Sequence, residues 1–66
     1  MRETVVTRST TACHTPFDAI AASSQGRCHR LNSRQHVTVV ADEGDYSCVV
    51  YAGVQRCMWV HRDAVR

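Results

Sequence analysis

Lysine is absent from this 66-residue sequence: all eight basic side chains are arginine, set against six carboxylates for a formal net charge of +2. Arginine carries a rigid planar fork that suits carboxylates, phosphates and aromatic faces, so its exclusive use fits an interaction surface as well as a bias in coding composition. Long apolar runs are absent too, which excludes a membrane-spanning helix. The opening residues, MRETVVTRSTT, hold no apolar stretch of the kind a secretion signal needs, so the chain as written is expected in the cytosol. No repeat or low-complexity tract occurs. With 44% hydrophobic and 21% charged residues, the composition is that of a folded chain rather than a disordered one.

What the chain does have, for its length, is cysteine: four in one small domain spanning 1–66. A domain of this size buries only about 60% of its unfolded surface, so its marginal core calls for a staple. Three states of Cys13, Cys28, Cys48 and Cys57 compete: two disulfides, one tetrahedral zinc site, or reduced buried thiols. Zinc usually takes a Cys-x-x-Cys knuckle that turns two ligands inward, and the sequence has none. No metal and no cofactor are therefore expected. A reducing cytosol favours free thiols, whereas disulfides would place the chain in a secreted or virion-associated setting.

In chain order, Glu3 to Thr10 is rich in Val and Thr and reads as a first strand. Thr15, Pro16 and Asp18 form a helix-start pattern, with Phe17, Ile20 and Ala21 on one face and Gly26 as a stop, giving a short helix from about 16 to 24. The Ser23-Ser24-Gln25-Gly26 run equally suits an irregular loop. Arg27 to Arg34 is short and basic, with a turn at Asn32-Ser33; Val37 to Ala41 is a strand; Asp42 to Asp45 is an acidic turn. Arg62 to Arg66 reads as one helical turn and a final edge residue.

Asp45 to Asp63 reads as a β-hairpin turning at Ala52-Gly53, because Gly supplies the positive φ of a two-residue loop. That loop opposes Cys48 to Cys57 at a non-hydrogen-bonded pair, and Tyr46 to Trp59 on the same face. A Cys48–Cys57 bond would leave Cys13 with Cys28. Val49, Tyr51, Val54, Met58 and Val60 occupy the other face, so both faces are apolar and at least one needs a cover.

These segments resemble a bacterial SH3-like domain. The matching residues are Val37-Thr38-Val39-Val40, the Gly44-Asp45-Tyr46 strand start, Val49, Tyr51-Ala52-Gly53, and Trp59-Val60 followed by His61 to Val65, with Thr11 to Pro16 similar to the family's first strand and its Pro. Met58, Ala64 and Cys13 stand where the family favours glycine, an aromatic and a basic residue. The resemblance implies a mainly β fold, a small antiparallel barrel that binds peptides or cell-wall material without chemistry, with Tyr46 and Trp59 lining its groove.

No catalytic pattern competes with binding. Cys13-His14 and Cys28-His29 suggest nucleophile and base, but neighbours along an extended chain point to opposite faces, so neither pair is its own dyad. Arg27, His29, Arg30 and Arg34, with His36, form the densest basic run, suited to a phosphate backbone or an acidic surface; aromatics for base stacking are few, and a solvated face is the plainer reading.

The expected function is thus a non-enzymatic binding module for a protein or peptide, using Tyr46, Trp59, Tyr51 and Arg56, with nucleic acid a lesser partner and no membrane. The alternative is a small phage or mobile-element inhibitor that blocks a host protein or nucleoprotein. That reading goes with a different fold, α+β, with one helix packed on a four-stranded antiparallel sheet.

Overall fold

The computed structural model describes residues 1–16 and 28–66. The expected helix over 16 to 24 (Pro16 aside) and Arg27 of the basic run lie outside the described residues. Six strands follow in order: β1 (Arg2–Val5), β2 (Thr10–Cys13), β3 (Cys28–Leu31), β4 (His36–Glu43), β5 (Tyr46–Val50) and β6 (Met58–His61), then a 3-10 helix over Arg62–Ala64. They form one antiparallel sheet in the order β1-β4-β5-β6-β2-β3.

The fold is mainly β. The four-stranded sheet of the α+β alternative is replaced by this six-stranded one, and no ladder joins β1 to β3, so the sheet is open among the described residues.

Valine builds the core. Val37 and Val39 of β4, Val49 of β5, and Met58 and Val60 of β6 turn to one side of the sheet, where Ala12, Leu31, Val6 and Val65 meet them. The period-2 alternation of β4 and β6 puts these residues inward and their neighbours outward. Tyr51 and Val54 pack against the rim of this core. Val40 is the extra residue of a bulge between Val39 and Ala41, which lets β4 bend as it crosses from β1 to β5.

The expected strand from Glu3 to Thr10 is two strands. Val6 forms an isolated bridge with Val65, its N–H donates to the Gln35 carbonyl at 2.9 Å, and its carbonyl accepts from Arg34 N–H at 2.7 Å. Thr7 N–H donates to the Ala64 carbonyl at 2.8 Å. With these groups committed to a loop and to the C-terminal segment, the ladder with β4 ends at Val5, and the chain turns before β2. The basic run likewise contains a strand, β3, whose four residues pair with β2 from Cys28 opposite Cys13 to Leu31 opposite Thr10. The C-terminal reading holds: the 3-10 helix is followed by Val65 at the edge of β1.

The β5–β6 hairpin exists with a different register and a longer connection than the expected two-residue loop, and a two-residue loop joins β4 to β5 instead. The two-residue loop is Gly44-Asp45, closed by Glu43 opposite Tyr46, with Gly44 at φ +56°. Gly53, at φ +95°, sits in a longer connection held by a Val54 N–H to Tyr51 carbonyl bond of 3.3 Å. The β5–β6 ladder pairs Tyr46 with His61, Ser47 with Val60, Cys48 with Trp59 and Val49 with Met58. Every partner is therefore displaced by two residues from the expected hairpin. A displacement of two preserves which face each side chain takes, whereas one of a single residue would have exchanged the faces. Met58, Val49 and Val60 are the core side.

On the other face a row of directly opposed residues crosses the sheet: Ala41, Cys48, Trp59, Cys13 and Cys28. Disulfides join Cys13 to Cys28, with Cα atoms 4.1 Å apart, and Cys48 to Cys57, with Cα atoms 5.2 Å apart. The first links direct cross-strand partners. In the second, Cys57 lies just ahead of β6 and diagonal to Cys48. Cys13 and Cys48 are wholly buried and Trp59 partly so, which answers how a second apolar face is covered: sulfur and one indole cap it.

Candidate functional site

Among the described residues, two clefts flank this framework. The first, about 420 Å³, is lined by Asp45, Tyr46, His61, Arg62 and Asp63. The tight turn at Gly44-Asp45 starts β5 at Tyr46, and the register sets His61 directly opposite, so their rings stack with centroids 4.9 Å apart and a 38° tilt. Arg62 N–H donates to the Asp45 carbonyl at 2.7 Å and its Nη1 to the Gly44 carbonyl at 3.4 Å, which fastens the 3-10 helix to the hairpin turn. Arg8 Nη2 donates to Asp63 Oδ1 at 2.9 Å and Arg8 Nη1 to the Asp63 carbonyl at 3.1 Å. That hydrogen bond, aided by the charges of Arg8 and His61, holds the Asp63 carboxyl below the usual carboxylate range.

The second cleft, about 260 Å³, lies where the Gly53 connection meets the β2–β3 hairpin and is lined by His14, His29, Arg56 and Met58 among others. His14 and His29 approach edge to face, with centroids 6.5 Å apart. The Tyr51 hydroxyl lies 3.3 Å from His29 Nδ1, and burial pushes the Tyr51 phenol up from its ordinary value.

Of the four expected partner-binding residues, Tyr46 and Trp59 share a face of the β5–β6 ladder on pairs two residues apart, and Tyr51 and Arg56 lie at or beside the second cleft. Tyr46 lines the first cleft and Arg56 the second, Tyr51 touches His29 beside the second, and Trp59 lies in the transverse row between Cys48 and Cys13. The basic run is divided as well. His29 and Arg30 are consecutive on β3, Arg30 Nε donates to Ser9 Oγ at 3.0 Å, and Arg34 stands in the following loop at φ +72°. His61 carries no pattern in the sequence that would single it out; the observed register sets it against Tyr46.

All four cysteines are in disulfides, so none is available as a thiolate nucleophile or a zinc ligand. Among the described residues, no three His, Cys, Asp or Glu side chains converge on a metal position, and no helix is long and apolar enough to cross a membrane. Comparison with protein-family models, with curated proteins and with solved structures gives no match.

Proposed function

We propose that this chain is a non-enzymatic binding module of SH3-like build that grips an extended peptide or protein segment at the Tyr46–His61 cleft. The observation that carries the reading is the stacked Tyr46–His61 pair at the floor of an open cleft. Aromatic side chains with a polar tip supply rigid contact area at low entropic cost and dominate recognition surfaces. The cleft is small and open, suited to a few side chains of a partner rather than to an enclosed metabolite. Its carboxylates are offset by cations, Asp63 by its pair with Arg8 and Asp45 by Arg62 in the same lining, so the aromatic pair rather than charge is what a partner side chain meets.

Support for the SH3-like build comes from the path of the last residues. After β6 the chain makes its 3-10 turn and returns beside β1 through the Val6–Val65 bridge, with Arg66 N–H donating to the Val5 carbonyl at 3.1 Å. That return brings the last residues beside the β1 edge of the open sheet, a path that favours the SH3-like build. The two disulfides favour an oxidising setting, secreted or on a particle surface, over the cytosol.

Selection of a displayed random-peptide library on the disulfide-intact protein tests the reading. It expects enriched sequences that lose at least about tenfold in affinity for Tyr46→Ala, an effect of about 1.4 kcal/mol. Peptides that bind Tyr46→Ala as well as the unaltered protein would refute it.

A further inference from the structure

Among the described residues, the second cleft gathers hydrogen-bond donors and no carboxylate. His14, His29, Gln55 and Arg56 line it and are all exposed, and the two imidazoles are neighbours. The described carboxylates lie elsewhere: Glu3 is on β1, Asp42, Glu43 and Asp45 surround the β4–β5 turn, and Asp63 is paired with Arg8. Arg56 is also uncommitted. Arg2, Arg8, Arg30 and Arg62 each donate to another residue, whereas Arg56 has no hydrogen-bond or ion-pair partner among the described residues.

We infer that this cleft binds the phosphate group of a phosphate monoester, held by the guanidinium of Arg56 and the imidazoles of His14 and His29. Such a group carries a charge of about −1.5 to −2 near neutral pH and three terminal oxygens that accept hydrogen bonds, one for each of these side chains. A carboxylate offers a single charge and two oxygens, which leaves one of them unused. Guanidinium–phosphate pairs are charge-assisted and two-pronged, and so stronger than neutral bonds. Tyr51 is a positioning residue that acts through His29. Its hydroxyl lies 3.3 Å from His29 Nδ1, and when it donates there the ring hydrogen sits on Nε2, the kind of donor an oxyanion requires. The titratable groups facing the two rings are each other, Arg56 and Tyr51, and burial keeps the Tyr51 phenol protonated, so no anion competes for the site. A bound dianion favours the charged form of each imidazole, so binding draws protons onto His14 and His29.

Phenyl phosphate is the probe, titrated into the disulfide-intact protein and followed by nuclear magnetic resonance, with benzoate as its carboxylate counterpart. A single equivalent is expected, with the largest shifts at the rings of His14 and His29 and the guanidinium of Arg56, and with binding at least about fivefold tighter than that of benzoate. Arg56→Gln should weaken binding by at least about tenfold, and His14→Gln and His29→Gln by about threefold or more each. All three positions are exposed, so the variants should melt close to the unaltered protein. Tyr51→Phe should weaken binding by a few fold and move the ring nitrogen resonances of His29, a change that lost packing alone does not produce. Inorganic sulfate keeps its charge while the imidazoles titrate. Its affinity should fall between about pH 5.5 and about pH 8, and that slope should vanish when His14→Gln and His29→Gln are combined. Arg30→Gln removes one charge from the strand that carries His29 and should bind phenyl phosphate as before. Equal binding of benzoate, unchanged affinity in Arg56→Gln, an equal loss in Arg30→Gln, or sulfate binding that is flat with pH would each overturn the assignment.

Discussion

Trp59 and Cys13 are direct cross-strand partners, and theirs is the one registered pair through which β6 meets β2. The sheet is therefore a four-stranded part, β1-β4-β5-β6, and a two-stranded hairpin, β2-β3, sharing a short seam. Trp59 also faces Cys48 on its other side, so the indole spans the two disulfide-bearing parts. Truncating it removes contact area at the seam. Trp59→Ala is expected to lower stability by about 2–3 kcal/mol, below the range for fully buried aromatics because Trp59 is only partly buried. Chemical denaturation followed by circular dichroism measures this, and a variant as stable as the parent would show that the seam does not depend on the indole.

The disulfides should dominate the stability of so small a domain. Closing loops of sequence separation 15 and 9 restricts the unfolded chain by about 3 and about 2.5 kcal/mol in the chain-entropy picture. Their sum is comparable to the whole stability of a small domain, about 5 kcal/mol at the low end. Full reduction is expected to unfold the protein near room temperature, and Cys13→Ser with Cys28→Ser to cost more than Cys48→Ser with Cys57→Ser. Thermal melts with and without reductant check both statements.

Ser47 is wholly buried, and its hydroxyl donates to Asp42 Oδ1 at 2.5 Å across the β4–β5 ladder. Ser47→Ala leaves the exposed Asp42 carboxylate to water, so the loss is the net value of one charge-assisted bond, about 1–2 kcal/mol. Ser47→Val retains no donor and adds volume to a filled site, and is expected to cost more. Equilibrium unfolding of the pair gives the order.

Asp63 makes a pH prediction with a definite sign. Its carboxyl is held down in the folded protein chiefly by the hydrogen bond from Arg8. A depressed carboxylate contributes stability above its unfolded value near 3.8 and loses it as pH falls through the lower folded value. Arg8→Gln should return the Asp63 titration, read by carboxyl carbon resonances, toward the ordinary value. High salt should do so in part, because the pair is exposed. A titration unmoved by Arg8→Gln would contradict the pairing.

Arg34 occupies the left-handed region at φ +72° while its N–H donates to the Val6 carbonyl. For an L-residue this conformation costs about 1–2 kcal/mol, part of which glycine recovers before its own greater unfolded entropy is subtracted. Arg34→Gly is expected to be neutral to about 1 kcal/mol stabilising, and Arg34→Val destabilising, since a β-branched side chain tolerates the region worst. Paired melting curves decide it.

Much of this architecture was legible in the residues, and the failures have physical causes. Alternation in Val37 to Ala41 located β4, and the apolar set Val49, Met58 and Val60 identified a buried face that survives a two-residue change of register. The pairing of cysteines was also accessible, because Cys48 and Cys57 share a face in either register. The register itself was not. Gly53 suggests a two-residue loop, but the β5–β6 ladder ends at Val49 opposite Met58 and leaves a longer connection that the Cys48–Cys57 bond spans. The strand β3 was hidden because three of its four residues are Cys, His and Arg, which carry no apolar alternation; its partner is set by the disulfide to Cys13. The His14–His29 contact joins the end of β2 to the neighbouring β3 across a long connection, so it follows from the Cys13–Cys28 pairing and not from any local pattern.

Chemical-shift mapping of the protein with a library-selected peptide tests the central claim most directly, because it reports where the partner lies. Binding at the proposed cleft predicts the largest amide and aromatic shifts at Tyr46, His61, Arg62 and Asp63, with Tyr46→Ala removing them while the disulfide-bonded fold stays intact. Shifts centred instead on His14, His29 and Arg56, or spread without focus over the sheet, would contradict it.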